Sequence, residues 1–118
     1  MAAALIVGAG DATGGAIAKA FAREGYTACV NRRARNADQL EALVQSIHAE
    51  GYAARAYPAD ARVEEEVVAM VDAIERDVGP IEVAVFNIGA NVNFSILDMT
   101  SQVYRKVWEM AAFAGFLM

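Results

Sequence analysis

The chain has 118 residues, of which 57% are hydrophobic and 21% are charged, and it carries a formal net charge of −5 with a sequence pI of about 4.8. This composition excludes a disordered chain, and the lack of a basic surface argues against nucleic acid or an anionic membrane as a partner. A single Cys and a single His exclude a disulfide framework and a cysteine zinc cage, so we predict no metal. The length suits one domain over residues 1–118, and the cysteine content suits a reducing, cytoplasmic compartment.

The first half of the chain predicts two strand–helix units. A continuous apolar run over Ala3–Val7 predicts a strand, and residues 13–24 follow with helical spacing. Residues 27–31 predict a second strand, and residues 36–50 predict a second helix. Glycines just beyond both helices are typical of helix ends.

The second half repeats the pattern. Residues 53–57 predict a weaker strand, and residues 62–78 predict a helix that ends before a Gly-Pro pair. Ile81–Phe86 predicts a fourth strand, and Thr100 is suited to cap a last helix. The residues of that helix that we expect to face inward are Val103, Val107, Met110, Ala111 and Ala114.

Strands that alternate with helices indicate right-handed crossovers and a parallel sheet. The near-continuous apolar character of the first and fourth strands indicates a sheet that is covered on both faces. We therefore predict an α/β fold of the doubly wound class.

A glycine-rich loop joins the first strand to the first helix. It contains Gly8, Gly10 and Gly14. Glycine allows the backbone to approach a ligand closely, and the unpaired N–H groups of a helix N-terminus suit a pyrophosphate. A strand–loop–helix context of this kind predicts dinucleotide binding, whereas the alternative is a tight turn in an ordinary α/β domain.

Residues 7–14 (VGAGDATG) and the GAIA that follows resemble the amino-terminal half of a short-chain dehydrogenase/reductase, whose motif is T-G-x-x-x-G-x-G. Val7 and Ala12 depart from that motif. The resemblance implies a Rossmann-type sheet with about four strands present, in the order 3-2-1-4. It also implies that the loop holds the cofactor through Gly8, Gly10, Asp11, Ala12, Thr13 and Gly14.

Two further segments match the family. Asp60 and Ala61 follow the third strand, where the resemblance implies an Asp that accepts a hydrogen bond from the adenine amino group. The alternative role of Asp60 is to cap the next helix. Asn87 and Gly89 lie in a segment similar to the family's N-N-A-G, where Asn supports the sheet and Gly lets the chain pass near the cofactor ribose.

The residues after the second strand favour NADP over NAD. Arg32 stands where the family's NAD enzymes place an acidic residue, and Arg33 follows it. A guanidinium can bind a 2′-phosphate through two hydrogen bonds, whereas a carboxylate would repel it. Asp11 argues in the other direction, because NADP-preferring relatives often carry a basic or hydroxyl residue there, so NAD stays possible. The alternative role of Arg32 and Arg33 is that of a solvated basic turn.

The resemblance implies hydride transfer between NADP(H) and a carbonyl or alcohol carbon, carried out in the family by Ser and a Tyr-x-x-x-Lys pair. No Tyr of this chain is followed by Lys at that spacing, so we assign no catalytic residue. Ala111 and Ala112 occupy the region where the family carries a supporting Asn. We expect the chain to be the cofactor-binding portion of a longer, typically homo-oligomeric enzyme acting on a small molecule. A truncated gene product, a non-catalytic nucleotide-binding module and another nucleotide-binding fold are the alternatives.

Overall fold

A computed structural model of the chain describes residues 2–89 and 92–118. These residues form a parallel sheet of four strands in the order β3-β2-β1-β4. Both the parallel arrangement and the strand order confirm the predicted fold. The strands are β1 (Ala3–Val7), β2 (Thr27–Asn31), β3 (Ala54–Ala56) and β4 (Ile81–Phe86).

The helices follow the predicted positions, with ends that differ by at most two residues for the first three. A short 3₁₀ turn over Ala34–Asn36 precedes the second helix and accounts for its later start. A π-helical segment over Glu109–Phe113 interrupts the last predicted helix. The helices are α1 (Thr13–Arg23), α2 (Ala37–Ala49), α3 (Glu64–Asp77), α4 (Ser101–Trp108) and α5 (Ala114–Leu117).

Strand β1 is buried on both faces because helices cover both sides of the sheet. Its residues Ala4 and Ile6 pack with the core beneath α1 and α2, whereas Ala3, Leu5 and Val7 pack with the core on the α3 side. None of these five side chains is more than 2% exposed. This two-sided burial is the physical reason for the continuous apolar run in the sequence.

The parallel arrangement brings the carboxyl ends of three strands to one edge of the sheet. Val7 pairs with Asn31 of β2 and with Phe86 of β4. The segments that leave the sheet after these residues therefore start side by side. They contain Gly8, Arg32 and Asn87, and this edge is where ligands bind in open α/β sheets.

The predicted inward face of the last helix is only partly correct. Thr100 caps α4 as expected, because its Oγ1 accepts a hydrogen bond from the Val103 N–H at 3.2 Å. Ala114 is buried, but Ala111 is exposed. The π-helical turn contains an additional residue, which shifts the phase of the helix and moves Ala111 off the inward face.

Across residues 2–89 and 92–118, no helix has the length and apolar character needed to cross a membrane.

Candidate functional site

A cavity of about 290 Å³ opens at the carboxyl edge of the sheet. It is bounded by segments from all four strand ends, so residues far apart in the sequence meet there. The predicted cofactor-binding residues in its lining are Gly8, Gly10, Arg32, Arg33, Asp60, Ala61, Asn87 and Gly89.

The start of the glycine loop packs against Asn87, the residue that follows β4. Gly8 has a φ of +86°, and a Cβ atom at this position would lie 2.7 Å from the carbonyl carbon and oxygen of Asn87. The Asn87 Nδ2 atom donates to the Gly8 carbonyl oxygen at 3.1 Å, and the Asn87 backbone N–H donates to Val7 at 2.8 Å. Because of the positive φ and this close approach, only glycine fits at position 8. The two hydrogen bonds that Asn87 donates hold the loop in place.

The start of α1 leaves backbone donors unused. Ala12 occupies the N-cap position and makes no side-chain capping hydrogen bond. The N–H of Gly15 donates to Gly10 at 2.8 Å, and the N–H of Ala16 donates to Ala12 at 3.0 Å. In the part of the chain that the structure describes, the N–H groups of the four residues between Gly10 and Gly15 have no acceptor. Free N–H groups at the positive end of a helix dipole form an anion site. These four residues, which lie outside the cavity lining, are Asp11, Ala12, Thr13 and Gly14.

Two arginines line the cavity beyond β2. The Arg32 side chain is 23% exposed, and its buried Nη1 atom has no hydrogen-bond partner. The nearest anion is the Asp11 carboxylate, whose Oδ1 atom lies 3.6 Å from Nη1. Arg33 forms no ion pair with any described residue. Both guanidinium groups can therefore still bind an anion.

Asp60 is held by Arg62. The Asp60 Oδ1 atom accepts hydrogen bonds from the Arg62 backbone N–H and Nε, each at 3.0 Å, and Oδ2 accepts from Nη2 at 2.8 Å. The hydrogen bonds from the Arg62 side chain hold the pKa of the Asp60 carboxyl below its ordinary value. The alternative role of Asp60 as a helix cap is wrong, because α3 begins at Glu64 with Val63 at its N-cap position.

Asp60 and Ala61 together offer one hydrogen-bond acceptor and one hydrogen-bond donor that have no partner among the described residues. A carboxylate offers about four lone-pair sites, and Arg62 occupies three of those of Asp60, which leaves one on Oδ2. The N–H of Ala61 has no acceptor among the described residues. Asp60 and Ala61 therefore present an acceptor beside a donor, the pattern needed to bind an aromatic amine next to a ring nitrogen.

Sequence reasoning missed several residues of the lining. Asn31 is buried, and its Nδ2 atom donates to the carbonyl oxygens of Tyr57 at 2.9 Å and Ala59 at 3.2 Å. It thereby joins the end of β2 to the segment after β3. The available signal is an amide side chain at the end of a short strand with an apolar centre, since a buried amide needs partners. The missed lining residues are Asn31, Asn36, Ala59, Arg62 and Ile88.

Residues 2–89 and 92–118 contain no group of three or more His, Cys, Asp and Glu side chains arranged to hold a metal ion.

Comparison with known proteins gives one family. The sequence model of the family described as short chain dehydrogenase matches residues 2–118. Gluconate 5-dehydrogenase of Gluconobacter oxydans is 38% identical over 106 residues, which are 90% of this chain and 39% of that protein. A short-chain dehydrogenase from Rhodopseudomonas palustris superposes with a TM-score of 0.91 at 49% identity, over 98% of this chain and 53% of that chain. L-sorbose reductase from Gluconobacter frateurii, solved with NADPH and L-sorbose, superposes with a TM-score of 0.88 at 26% identity, over 98% of this chain and 43% of that chain.

The chain spans about half, or less, of the length of these relatives. The similarity nevertheless extends over nearly the whole of the chain itself, and the parallel sheet has the strand order that the resemblance implied. The chain belongs to the short-chain dehydrogenase family.

Proposed function

We propose that residues 1–118 form the NADP-binding domain of an oxidoreductase that transfers hydride between the cofactor and a carbonyl or alcohol carbon of a small molecule. The bound nicotinamide supplies the hydride chemistry, and this chain supplies binding and orientation. The observation that carries the choice of NADP is Arg32, a residue of the cavity lining whose buried Nη1 atom lacks a hydrogen-bond partner.

The donors and acceptors at the sheet edge fit such a cofactor. The free N–H groups of residues 11–14 suit the pyrophosphate, and the free acceptor of Asp60 beside the Ala61 N–H suits the adenine edge. Arg32 and Arg33 suit a 2′-phosphate. Asn87 and Gly89, which line the same cavity, suit the ribose side of the cofactor. The reductase from Gluconobacter frateurii, whose structure contains NADPH, supports this assignment through its similar fold.

The test is the loss of NADP preference when the guanidinium groups are removed. We expect Arg32→Ala and Arg33→Ala each to weaken NADPH binding about 10- to 100-fold, since a hydrogen bond to a charged group contributes about 1.5–3 kcal/mol. Binding of NADH should change by less than about threefold, because a 2′-hydroxyl needs no cation. Isothermal titration calorimetry measures both affinities.

Arg35→Ala is the matched control. Arg35 lies in the 3₁₀ turn after Arg33, is exposed, and does not line the cavity. Its removal should leave both affinities unchanged. Equal losses of NADPH and NADH binding in the Arg32 and Arg33 variants would refute the preference for NADP, and the absence of binding of either cofactor to the unmodified chain would refute the proposed function.

A further inference from the structure

The guanidinium of Arg62 holds both oxygens of the Asp60 carboxylate. Nε donates to Oδ1 at 3.0 Å and Nη2 donates to Oδ2 at 2.8 Å, while the Arg62 backbone N–H adds a second hydrogen bond to Oδ1 at 3.0 Å. Two parallel hydrogen bonds between a guanidinium and a carboxylate fix the plane of the carboxylate as well as its position. The Asp60 and Arg62 side chains are 24% and 22% exposed, so water screens this pair only in part.

The backbone of Asp60 is fixed independently of Arg62. Its N–H donates to the Glu66 Oε1 atom at 3.1 Å, and its carbonyl oxygen accepts from the Val63 N–H at 3.0 Å. The preceding residue, Ala59, is tied to the end of β2, because its carbonyl oxygen accepts from Asn31 Nδ2 at 3.2 Å. The main freedom left at this position is therefore rotation of the Asp60 side chain, which Arg62 restricts.

The direction of the Asp60 carboxylate decides which bases the site can recognise. Its remaining lone pair on Oδ2 and the Ala61 N–H form an acceptor beside a donor. Adenine presents the complementary pair, an amino donor beside a ring-nitrogen acceptor. Hypoxanthine presents the reverse pair, so acceptor would face acceptor and donor would face donor. This discrimination requires the free lone pair to point at the base before the base binds.

We infer that Arg62 is a positioning residue, which orients the Asp60 carboxylate so that the site selects an aminopurine over an oxopurine. This inference rests on the proposed function. Without the guanidinium, the carboxylate can rotate and hydrogen-bond to water, so a base must order it on binding and loses affinity. A guanidinium that only neutralised Asp60 would have the opposite effect. Its removal would leave a more strongly accepting carboxylate and would increase the selectivity for the amino group.

The experiment compares binding of NADP⁺ with binding of its hypoxanthine analogue, in which an oxygen replaces the adenine amino group, by isothermal titration calorimetry. The analogue should bind the unmodified chain about tenfold more weakly, since it loses a hydrogen bond to a charged acceptor. In Arg62→Gln this ratio of dissociation constants should fall below about threefold. A residue needed only for folding would change both dissociation constants by the same factor and leave their ratio unchanged.

Arg62→Lys separates the geometry of the guanidinium from its charge. Lysine keeps the positive charge, but its ammonium group does not match the two carboxylate oxygens as a planar guanidinium does. The ratio should therefore fall nearly as far as in Arg62→Gln. Retention of the full ratio in Arg62→Lys would show that charge alone is sufficient and would overturn the positioning role. Circular dichroism checks that each variant is folded.

Two controls isolate the contact with Asp60. Arg76→Gln removes an arginine from an exposed ion pair on α3 outside the cavity lining, and should leave the ratio unchanged. In an Asp60→Ala background, Arg62→Gln should change the ratio by less than about twofold, because Arg62 acts through Asp60. A change in that background as large as in the unmodified chain would overturn the inference.

The outcomes separate this inference from the proposed function. If the unmodified chain binds NADP⁺ but Arg62→Gln leaves the ratio unchanged or raises it, the inference is wrong and the proposed function stands. The same holds if the unmodified chain binds NADP⁺ and the hypoxanthine analogue equally well. If the unmodified chain binds neither dinucleotide, both are refuted.

Discussion

Gly8 and Gly25 both have positive φ angles, but their surroundings differ. Gly8 has a φ of +86° and faces the Asn87 backbone, whereas Gly25 has a φ of +99° and a Cβ there would meet nothing within 4 Å. A substitution at Gly25 therefore introduces backbone strain alone. A substitution at Gly8 introduces the same strain together with a steric clash at 2.7 Å.

We expect Gly25→Ala to lower the free energy of unfolding by about 1–2 kcal/mol, the ordinary cost of an L-residue in the left-handed region. Gly8→Ala should lower it by about 3 kcal/mol or more, because the added methyl group must displace the end of β4. Urea denaturation of the two variants measures the difference. Equal losses in both variants would show that the contact between Gly8 and Asn87 is not tight.

The ion pair of Asp60 and Arg62 makes stability depend on pH in a defined direction. Arg62 lowers the pKa of Asp60 mainly through side-chain hydrogen bonds. A carboxyl with a lowered folded-state pKa contributes stability that is present above its unfolded value of about 3.9 and is lost as the pH falls through the folded value.

We therefore expect Arg62→Gln to lower the free energy of unfolding by about 1–2 kcal/mol near neutral pH, and by much less once Asp60 is protonated in both proteins. Urea unfolding at neutral pH and at a pH well below 3.9 compares the two conditions. Arg76→Gln is the control, since the Arg76–Asp77 pair is more exposed and should contribute little at either pH. A loss of the same size at both pH values would contradict the assigned role of Arg62.

The two edge strands of the sheet, β3 and β4, differ in how well they are protected against pairing with a strand of another molecule. Strand β3 has three residues, carries the exposed Arg55 and is followed closely by Pro58, which are features that discourage pairing with another strand. Strand β4 has six residues, of which only Glu82 is charged. In the described part of the chain it pairs only with β1, so its outer edge is open to another strand.

A lysine on β4 should therefore reduce self-association of this chain. Ala84 is exposed, so Ala84→Lys places a charge on the edge without removing a core contact. We expect the apparent dissociation constant for self-association to rise by roughly fivefold, equivalent to about 1 kcal/mol. Sedimentation velocity over a range of concentrations measures it, with Ala84→Val as an apolar control that should not weaken association. Identical behaviour of both variants would exclude β4 as the associating edge.

The whole molecule is more elongated than a compact chain of its length. Its radius of gyration is 15.0 Å, with principal extents of 51 × 26 × 22 Å, against about 13.5 Å expected for a compact domain of this size. Helix α4 contains no buried residue, whereas Ala114 of α5 is buried and Gly115 lies beside the Phe86 ring. The C-terminal helical region therefore packs against the sheet chiefly through its last turn.

Because the C-terminal helical region packs on the sheet chiefly through its last turn, several of its large apolar side chains are exposed. Tyr104, Trp108 and Phe116 are 66%, 48% and 80% exposed. The Trp108 ring stacks on Phe113 with centroids 5.5 Å apart, so part of this surface is organised by its own aromatic contacts. Amphipathic spacing predicted a helix in this region but not its π-helical interruption over Glu109–Phe113. A spacing pattern also does not indicate how far a helix extends beyond the sheet that it packs on.

The sequence by itself determined the order and type of the elements, because an apolar strand and a helical stripe are local patterns with short periods. It also placed the glycine loop, Arg32 and Asn87 at strand ends, which parallel pairing necessarily brings together. It did not reveal that Arg62 occupies most of the Asp60 carboxylate, or that a π-helical turn moves Ala111 outward. Only the tertiary structure decided that Asp11 and Asn87 meet residues far from them in the sequence, because such contacts depend on sheet register and loop path rather than on any repeating pattern.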